Sequence, residues 1–539
     1  MSVKIFSALS VGLEGKLIEV EADILRGMSA FNIVGLGDTA VQEAKERVRS
    51  AIKNSGFEYP QQKKIINLAP ASLKKHGPQF DLPIALGLLC ASGQIRPALL
   101  QNSIVAGELA LDGSIRPIRG VLTLALFAKK HGWKQIIIPA GNINEASLVK
   151  DISIIPLDHL KDISAALAAP DGTHAPATVA NIAPAEPHLT AVNSNPAASD
   201  STTSIPDFSD IIGQGNAKRA LTIAIAGGHH ILIKGSPGVG KTMLARALPG
   251  IMPPLSEEEI FEVTQIYSLA GLTDDNRFLI DRRPFRQVHH TASLYSLIGG
   301  GASLRPGEIS LAHRGALFLD EIAEFPRAHL EALRQPLEEK EISVSRAAGT
   351  IKYPAQFVLV AGMNPCPCGY FGDPHKKCTC NPYQIIRYQK KLSGPILDRI
   401  DLIINVPRQN LTSQNSAPAV ARACTDVVKS HATAVNSAPS SSSTVQSLIA
   451  QIQKIQHVRY KTSNFLNSNL NSKQIKKFCP LSPDCDDLLA QAEEKFRFSG
   501  RGYHQLIKVS RTIADLAGHE QIQIEDLAES IQYRTCETH

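Results

Sequence analysis

Apolar positions recur along this chain at two spacings, one for strands and one for helices. SVKIFSALSVG and GKLIEVEADIL carry β-forming residues on either side of Gly12 and Gly15, which predicts two strands and a turn. FNIVGLG, KKIINLAP, SIVAGELAL, SIRPI and QIIIPA are further short apolar runs of strand type. Between them, VQEAKERVRSAIKNSG, DLPIALGLLCASG and GVLTLALFAKKHGW have the spacing and residues of helices, the first closing on Gly56. Residues 1–167 therefore read as one mixed α/β domain with its own core.

The patterning then lapses. Residues 168–205 are rich in Ala, Pro, Ser and Thr without a sustained period, and residues 408–442 repeat that composition around a short helical stretch. Neither buries enough to offset its ordering entropy, so both read as linkers. They divide the rest into a 206–407 core and a 443–539 helical domain. Within the core, Ile231–Ile233 is a buried strand, Met243–Leu248 and 257–269 are helical, and Gly315–Glu321 and Gln356–Asn364 are apolar strands with polar ends. Glu341–Ala355 alternates on either side of Ala347, Ala348 and Gly349, a hairpin pattern.

The chemistry begins where the first core strand ends. Gly235, Ser236, Pro237, Gly238, Val239, Gly240, Lys241 and Thr242 spell G-x-x-x-x-G-K-[ST] between a strand and a helix. Glycines let backbone N–H groups close around phosphates, and the helix N-terminus adds partial positive charge. Lys241 is expected to reach the β/γ-phosphates of ATP and Thr242 to offer a hydroxyl to Mg2+. GALFLDE brings Asp320 and Glu321 to the carboxyl end of a buried strand, Asp320 for Mg2+ and Glu321 to polarise water. Asn364 fits a γ-phosphate sensor; the alternative is a turn residue before Pro365.

Composition narrows the class. Apolar content of 43% and charged content of 20% are those of a water-soluble chain, and no apolar run is long enough for a membrane span. The N-terminus lacks a signal-peptide core, which predicts a cytoplasmic protein. A net charge of +6 permits nucleic-acid binding without arguing for it. Of nine cysteines, Cys366, Cys368, Cys378 and Cys380 form two close pairs, the spacing for one tetrahedral structural Zn2+, with His375 as a possible substitute ligand.

Several phrases resemble known families. GPQFDLPIAL and GELALDGSIRPIRG resemble the proteolytic domain of Lon, but Gln79 and Leu122 stand where its serine and lysine belong, so the likeness covers fold and not peptidase chemistry. Lys74, Lys75 and His76 beside them form a basic turn, either phosphate-contacting or solvated. The order of motifs in the core resembles AAA+ ATPases. That resemblance implies an arginine finger at Arg399, acting on a neighbour's ATP, against the alternative of a pair with Asp398 or Asp401. It also implies a second sensor at Arg501, acting in cis at the start of a lid helix, with Arg511 the weaker candidate. The glycine-rich tip at Gly299–Gly301 with Arg305, and the hairpin with Arg346 and Lys352, look like the pore elements of the clade that includes magnesium chelatase, where basic tips would track DNA; the alternative is ordinary solvated charge.

Taken with INLAPASLKKHGPQFDLPIAL, PFRQVHHTAS, RPGEISLAHRGALFLDE, NPCPCGYFGDP, GPILDRIDL and SRTIADLAG, the chain is identified as a member of the YifB/ComM family of magnesium-chelatase-like ATPases. Gly37, where the family usually has Pro, and the Ser/Ala-rich 408–442 segment are modest departures. The resemblance implies a Lon-like α/β domain, an AAA+ module with a parallel sheet and a helical lid. It implies a hexameric, DNA-dependent ATPase acting on single-stranded or branched DNA in branch migration during natural transformation, with recombination proteins as possible partners. A protein-remodelling ATPase and a magnesium-chelatase-type metal-insertion motor are the rival readings.

Overall fold

The computed structural model describes residues 2–168, 205–273, 278–301, 305–346, 349–392, 394–408, 441–462 and 464–535. The segments expected as linkers, 168–205 and 408–442, lie almost wholly outside these, as do Ala347, Ala348, Cys424 and Cys536.

The N-terminal domain is built on a seven-stranded mixed sheet, ordered Phe31–Val34, Lys63–Ala69, Glu14–Leu25, Val3–Val11, Ser103–Val105, Gln135–Pro139 and Ser153–Leu157. The hairpin predicted at Gly12–Gly15 is antiparallel, pairing Val3 with Ala22 and Val11 with Glu14. Helix Asp81–Ala91 is apolar on all sides and accordingly buried, from Leu82 to Leu89. Gln79 donates to the Ala8 carbonyl at 3.3 Å, and Leu122 is enclosed in the core. Neither reading of the basic turn fits Lys75: it is fully buried, its ammonium bonded to the Pro70 carbonyl, because its backbone pairs with Leu36 and Asp38.

The second sheet has five parallel strands, ordered Phe285–Val288, Ala316–Leu319, Val358–Met363, Ile231–Lys234 and Leu402–Asn405. Layers cover both of its faces, which is why its strands read as unbroken apolar runs rather than alternating ones. Helices Ser442–Tyr460, Ser472–Phe478, Pro483–Phe496, Gly500–Ala517 and Ile524–Thr535 form the lid. The lid is tied to the core by buried polar bonds. His229 Nε2 lies 2.8 Å from Thr512 Oγ1, and Gln456 donates to the Ala226 carbonyl at 3.1 Å.

The two domains meet at helix Glu257–Ala270. Gln265 Nε2 donates to the Leu13 carbonyl at 2.7 Å and to Thr123 Oγ1 at 3.0 Å, and the Gly120 N–H donates to Ser268 Oγ at 3.0 Å. The Gly12 turn touches Ile351 on the core hairpin, leaving no room for a side chain there. Among the described residues no helix is long and apolar enough to cross a membrane.

Candidate active site

Three neighbouring strands of the parallel sheet end at one place. Strand Ile231–Lys234 runs into the glycine-rich loop, whose Gly238 and Gly240 have φ of 79° and 92°, a region open to glycine at little cost. Helix Lys241–Arg246 follows at once. Lys241 Nζ is folded into the loop and donates to the carbonyls of Gly235 (2.6 Å) and Ser236 (3.1 Å) and to Asn364 Oδ1 (3.0 Å). Burial lowers its pKa, opposed by the charges of Asp320 and Glu321. Thr242 Oγ1 donates to Asp320 Oδ2 at 3.0 Å, so the two residues expected to hold Mg2+ already touch. Hydroxyl and carboxylate oxygens are hard donors suited to that ion.

At Glu321 the chain leaves its strand through a left-handed residue (φ 51°), and its side chain is about half exposed. Its Oε2 lies 3.6 Å from His290 Nδ1, a buried nitrogen without a hydrogen-bond partner. The parallel register Val288 opposite Leu319 delivers both residues to the same end of the sheet. On the far side, Gly362 leaves room for the Asp320 carboxylate: a Cβ there would lie 2.8 Å from Asp320 Oδ1. Neither His290 nor Gly362 has a signal of its own in sequence; only pairing across strands reveals them.

Arg399 and Arg501 are elsewhere. Both reach Oε1 of Glu338, Arg399 Nη2 at 2.5 Å and Arg501 by a closer contact. Arg399 thus pairs with neither Asp398 nor Asp401; Asp401 instead accepts the His230 N–H at 3.0 Å and lies 3.4 Å from His229 Nδ1. The arginines line a cavity of about 920 Å³ with His230, Gly315 and Val358, which sit at the amino ends of the strands. The phosphate loop is at the carboxyl ends, on the order of 13 Å away along a four-residue strand. The cis contact expected for Arg501 is therefore absent in this conformation, because lid packing holds the start of helix Gly500–Ala517 at the amino ends of the strands. Arg511 is also out of reach, fully buried and bonded to Asp515.

Cys366, Cys368, Cys378 and Cys380 converge, with all four sulfur atoms within 4.8 Å of one another. The Cys366–Cys368, Cys366–Cys378 and Cys368–Cys378 separations are 3.4, 3.7 and 3.5 Å. Ligands at about 2.3 Å from a tetrahedral Zn2+ stand about 3.8 Å apart, so the set fits. The Phe371, Cys368 and Cys380 N–H groups point at sulfur, at 3.3, 3.4 and 3.4 Å, as donors to thiolates do. His375 is not part of the cluster. Cys90, Cys479 and Cys485 are buried and unpaired.

The basic residues expected to face DNA are less uniform. Lys352 is exposed but bonded to Glu341 on its own hairpin. Arg346 ends strand Glu341–Arg346, its backbone opposite Gly349. Arg305, exposed, pairs through its backbone with Gly300, and burial followed by the charge of Arg119 lowers its pKa.

Comparison with known proteins places this geometry. Residues 207–414 match the family described as magnesium chelatase, subunit ChlI; residues 20–142 match subunit ChlI of Mg-chelatase; residues 439–534 match the ChlI C-terminal family. Competence protein ComM of Haemophilus influenzae is 40% identical over 530 residues, 98% of this chain and 97% of that protein. Uncharacterized protein YifB of Escherichia coli is 40% identical over 527 residues, covering 97% and 95%. Lon protease 1 of Myxococcus xanthus is 23% identical over 163 residues, 28% of this chain and 20% of the protease.

Proposed function

The chain belongs to the ComM/YifB family of magnesium-chelatase-like AAA+ proteins, whose chemistry is ATP hydrolysis, and we propose that it is a ring-forming, DNA-dependent motor serving competence, as the name of its Haemophilus relative suggests. The observation that carries the reading is the division of the catalytic groups. Lys241, Thr242, Asp320, Glu321 and Asn364 gather at one end of the sheet, while Arg399 and Arg501 gather on Glu338 at the other.

Gly235–Thr242 would seat the phosphates of ATP, and Thr242 and Asp320 would hold Mg2+, which would neutralise phosphate charge. Glu321 takes the proton of the attacking water, and Asn364 holds Lys241 and the γ-phosphate in register. Charge on the transferring phosphoryl group is met by Arg399 and Arg501 of the adjacent subunit, which is why the site is complete only in an oligomer, taken as a hexamer. Zn2+ in the cysteine cluster is structural. Turnover moves the hairpin Glu341–Pro354 and the Gly299–Gly300 loop against DNA, to drive branch migration. The N-terminal domain supports the hairpin through Gly12 and Ile351.

The experiment is the ATPase rate of purified protein with no DNA, single-stranded DNA and forked DNA, alongside Glu321→Gln. Stimulation by DNA that vanishes in Glu321→Gln supports the motor. Glu321-dependent turnover that ignores every DNA points instead to a protein substrate.

A further inference from the structure

The cysteine cluster is built into the wall of the nucleotide site. Strand Val358–Met363 delivers Asn364, which accepts the Lys241 ammonium, and the chain enters the cluster two residues later at Cys366. Gly369, with φ of 83° and its N–H bonded to the Cys366 carbonyl at 2.9 Å, lies against the crown of the phosphate loop. A Cβ at Gly369 would stand 2.6 Å from Pro237 Cδ and 3.9 Å from Asn364 Cγ. Beyond it, Phe371, Gly372 and Asp373 line a cavity of about 670 Å³ together with Gly235, Ser236 and Asn364. One short loop thus touches the phosphate loop at Pro237 and, through Asn364, the lysine within it.

Besides the cluster, the loop is braced mainly at Asp373, which accepts the His375 and Lys376 N–H groups at 2.9 and 3.1 Å and bonds to Ser236, and at Lys376, 4.0 Å from the Tyr370 ring centroid. The residues from Phe371 to Lys377 are half-buried or exposed, and they lie in turns and bends rather than in helix or strand. Four thiolates crowded within 4.8 Å repel one another unless a cation or protons neutralise them. A bound metal removes that repulsion and fixes the loop covalently at four points.

We propose that the metal held by Cys366, Cys368, Cys378 and Cys380 sets the affinity of the ATP site, by holding Gly369 against Pro237 and Asn364 against Lys241. The proposal rests on the cluster being a metal site. It adds that occupancy is felt by nucleotide, so that loss of metal disarms the ATPase without touching a residue that contacts ATP.

The test uses full-length protein and reads binding rather than turnover. Zinc content is measured, and a fluorescent ATP analogue is titrated before chelation, after chelation and after zinc alone is restored. The expected result is one zinc per chain, affinity lower by about tenfold or more in the stripped protein, and recovery on reconstitution. A chain that neither retains nor takes up zinc removes the metal reading itself. A chain that loses and regains zinc with constant affinity overturns the coupling. Gly369→Ala separates coupling from general unfolding, since it keeps all four cysteines but places a methyl group against Pro237. It is expected to retain one zinc and still bind nucleotide about tenfold more weakly; wild-type affinity in that variant overturns the proposal.

Discussion

Arg399 and Arg501 share a single carboxylate oxygen, Oε1 of Glu338. Hydrogen bonding to Arg501 and the charges of both arginines hold the Glu338 carboxyl below its usual range, and burial beside Arg501 lowers the pKa of Arg399. Two like charges on one anion remain net positive.

Subunit mixing tests this arrangement. Arg399→Ala leaves its own phosphate loop intact, whereas Glu321→Gln keeps its arginines but cannot hydrolyse. Each alone is expected to lose turnover, by about 10³-fold for the arginine, while binding nucleotide normally. If Arg399 acts across the interface, mixing the two variants restores part of the activity, and the same holds for Arg501→Ala. Mixtures no more active than their components would place both arginines outside the neighbour's site.

How much of this was legible in the sequence depends on whether a feature is local. The phosphate loop and the cysteine cluster are written in contiguous residues, so spacing alone predicts that each set converges, as it does. Asp320 and Asn364 could be placed beside the loop because they follow buried parallel strands, and sheets of this kind gather polar groups at the carboxyl ends of such strands. The distance of Arg501 from its own phosphate loop has no local signal, because it depends on how the lid packs, through His229–Thr512 and Gln456–Ala226. Glu338, His290 and Gly362 act across strands or helices and have no motif. Lys75 looked like surface charge because a buried lysine capped by a carbonyl has no sequence signature.

The second prediction concerns Glu321 and its neighbour His290. Glu321→Gln keeps the shape and loses the base, so turnover is expected to fall by about 10²-fold or more with nucleotide affinity unchanged. His290 touches Glu321 rather than the phosphates. His290→Ala is therefore expected to lower kcat by less, about tenfold at most, without changing KM. Steady-state kinetics on both variants distinguishes the roles; a KM effect from His290→Ala would mean that it contacts nucleotide.

A third prediction follows from His230. Its Nδ1 accepts the Leu359 N–H at 3.1 Å, which requires that nitrogen unprotonated, and burial pushes its pKa down from 6.5 to about 4 despite the charge of Asp401. Between those values the unfolded chain binds a proton that the folded chain refuses. This contribution to stability is therefore complete above the unfolded pKa and is lost as pH falls through the window, with a slope of up to about 1.4 kcal/mol per pH unit. His230→Asn, which keeps an acceptor but does not titrate, is expected to flatten that part of the curve. Melting temperatures between pH 4 and 7 measure it, and an unchanged slope would assign the acid sensitivity to other groups.

The fourth concerns the space that Gly362 leaves. A methyl group there falls 2.8 Å from Asp320 Oδ1 and 3.7 Å from the Phe318 ring, so the carboxylate must move while the backbone stays in its strand. Asp320 Oδ2 is bonded to Thr242, and displacing one oxygen disturbs the pair expected to hold Mg2+. Gly362→Ala is thus expected to raise the Mg2+ concentration for half-maximal ATPase activity, and to lower the maximal rate by about tenfold. Nucleotide binding measured without Mg2+ should stay at the wild-type level, because Lys241 and the loop glycines are untouched. An unchanged Mg2+ requirement would show that Asp320 accommodates the methyl group without leaving its place.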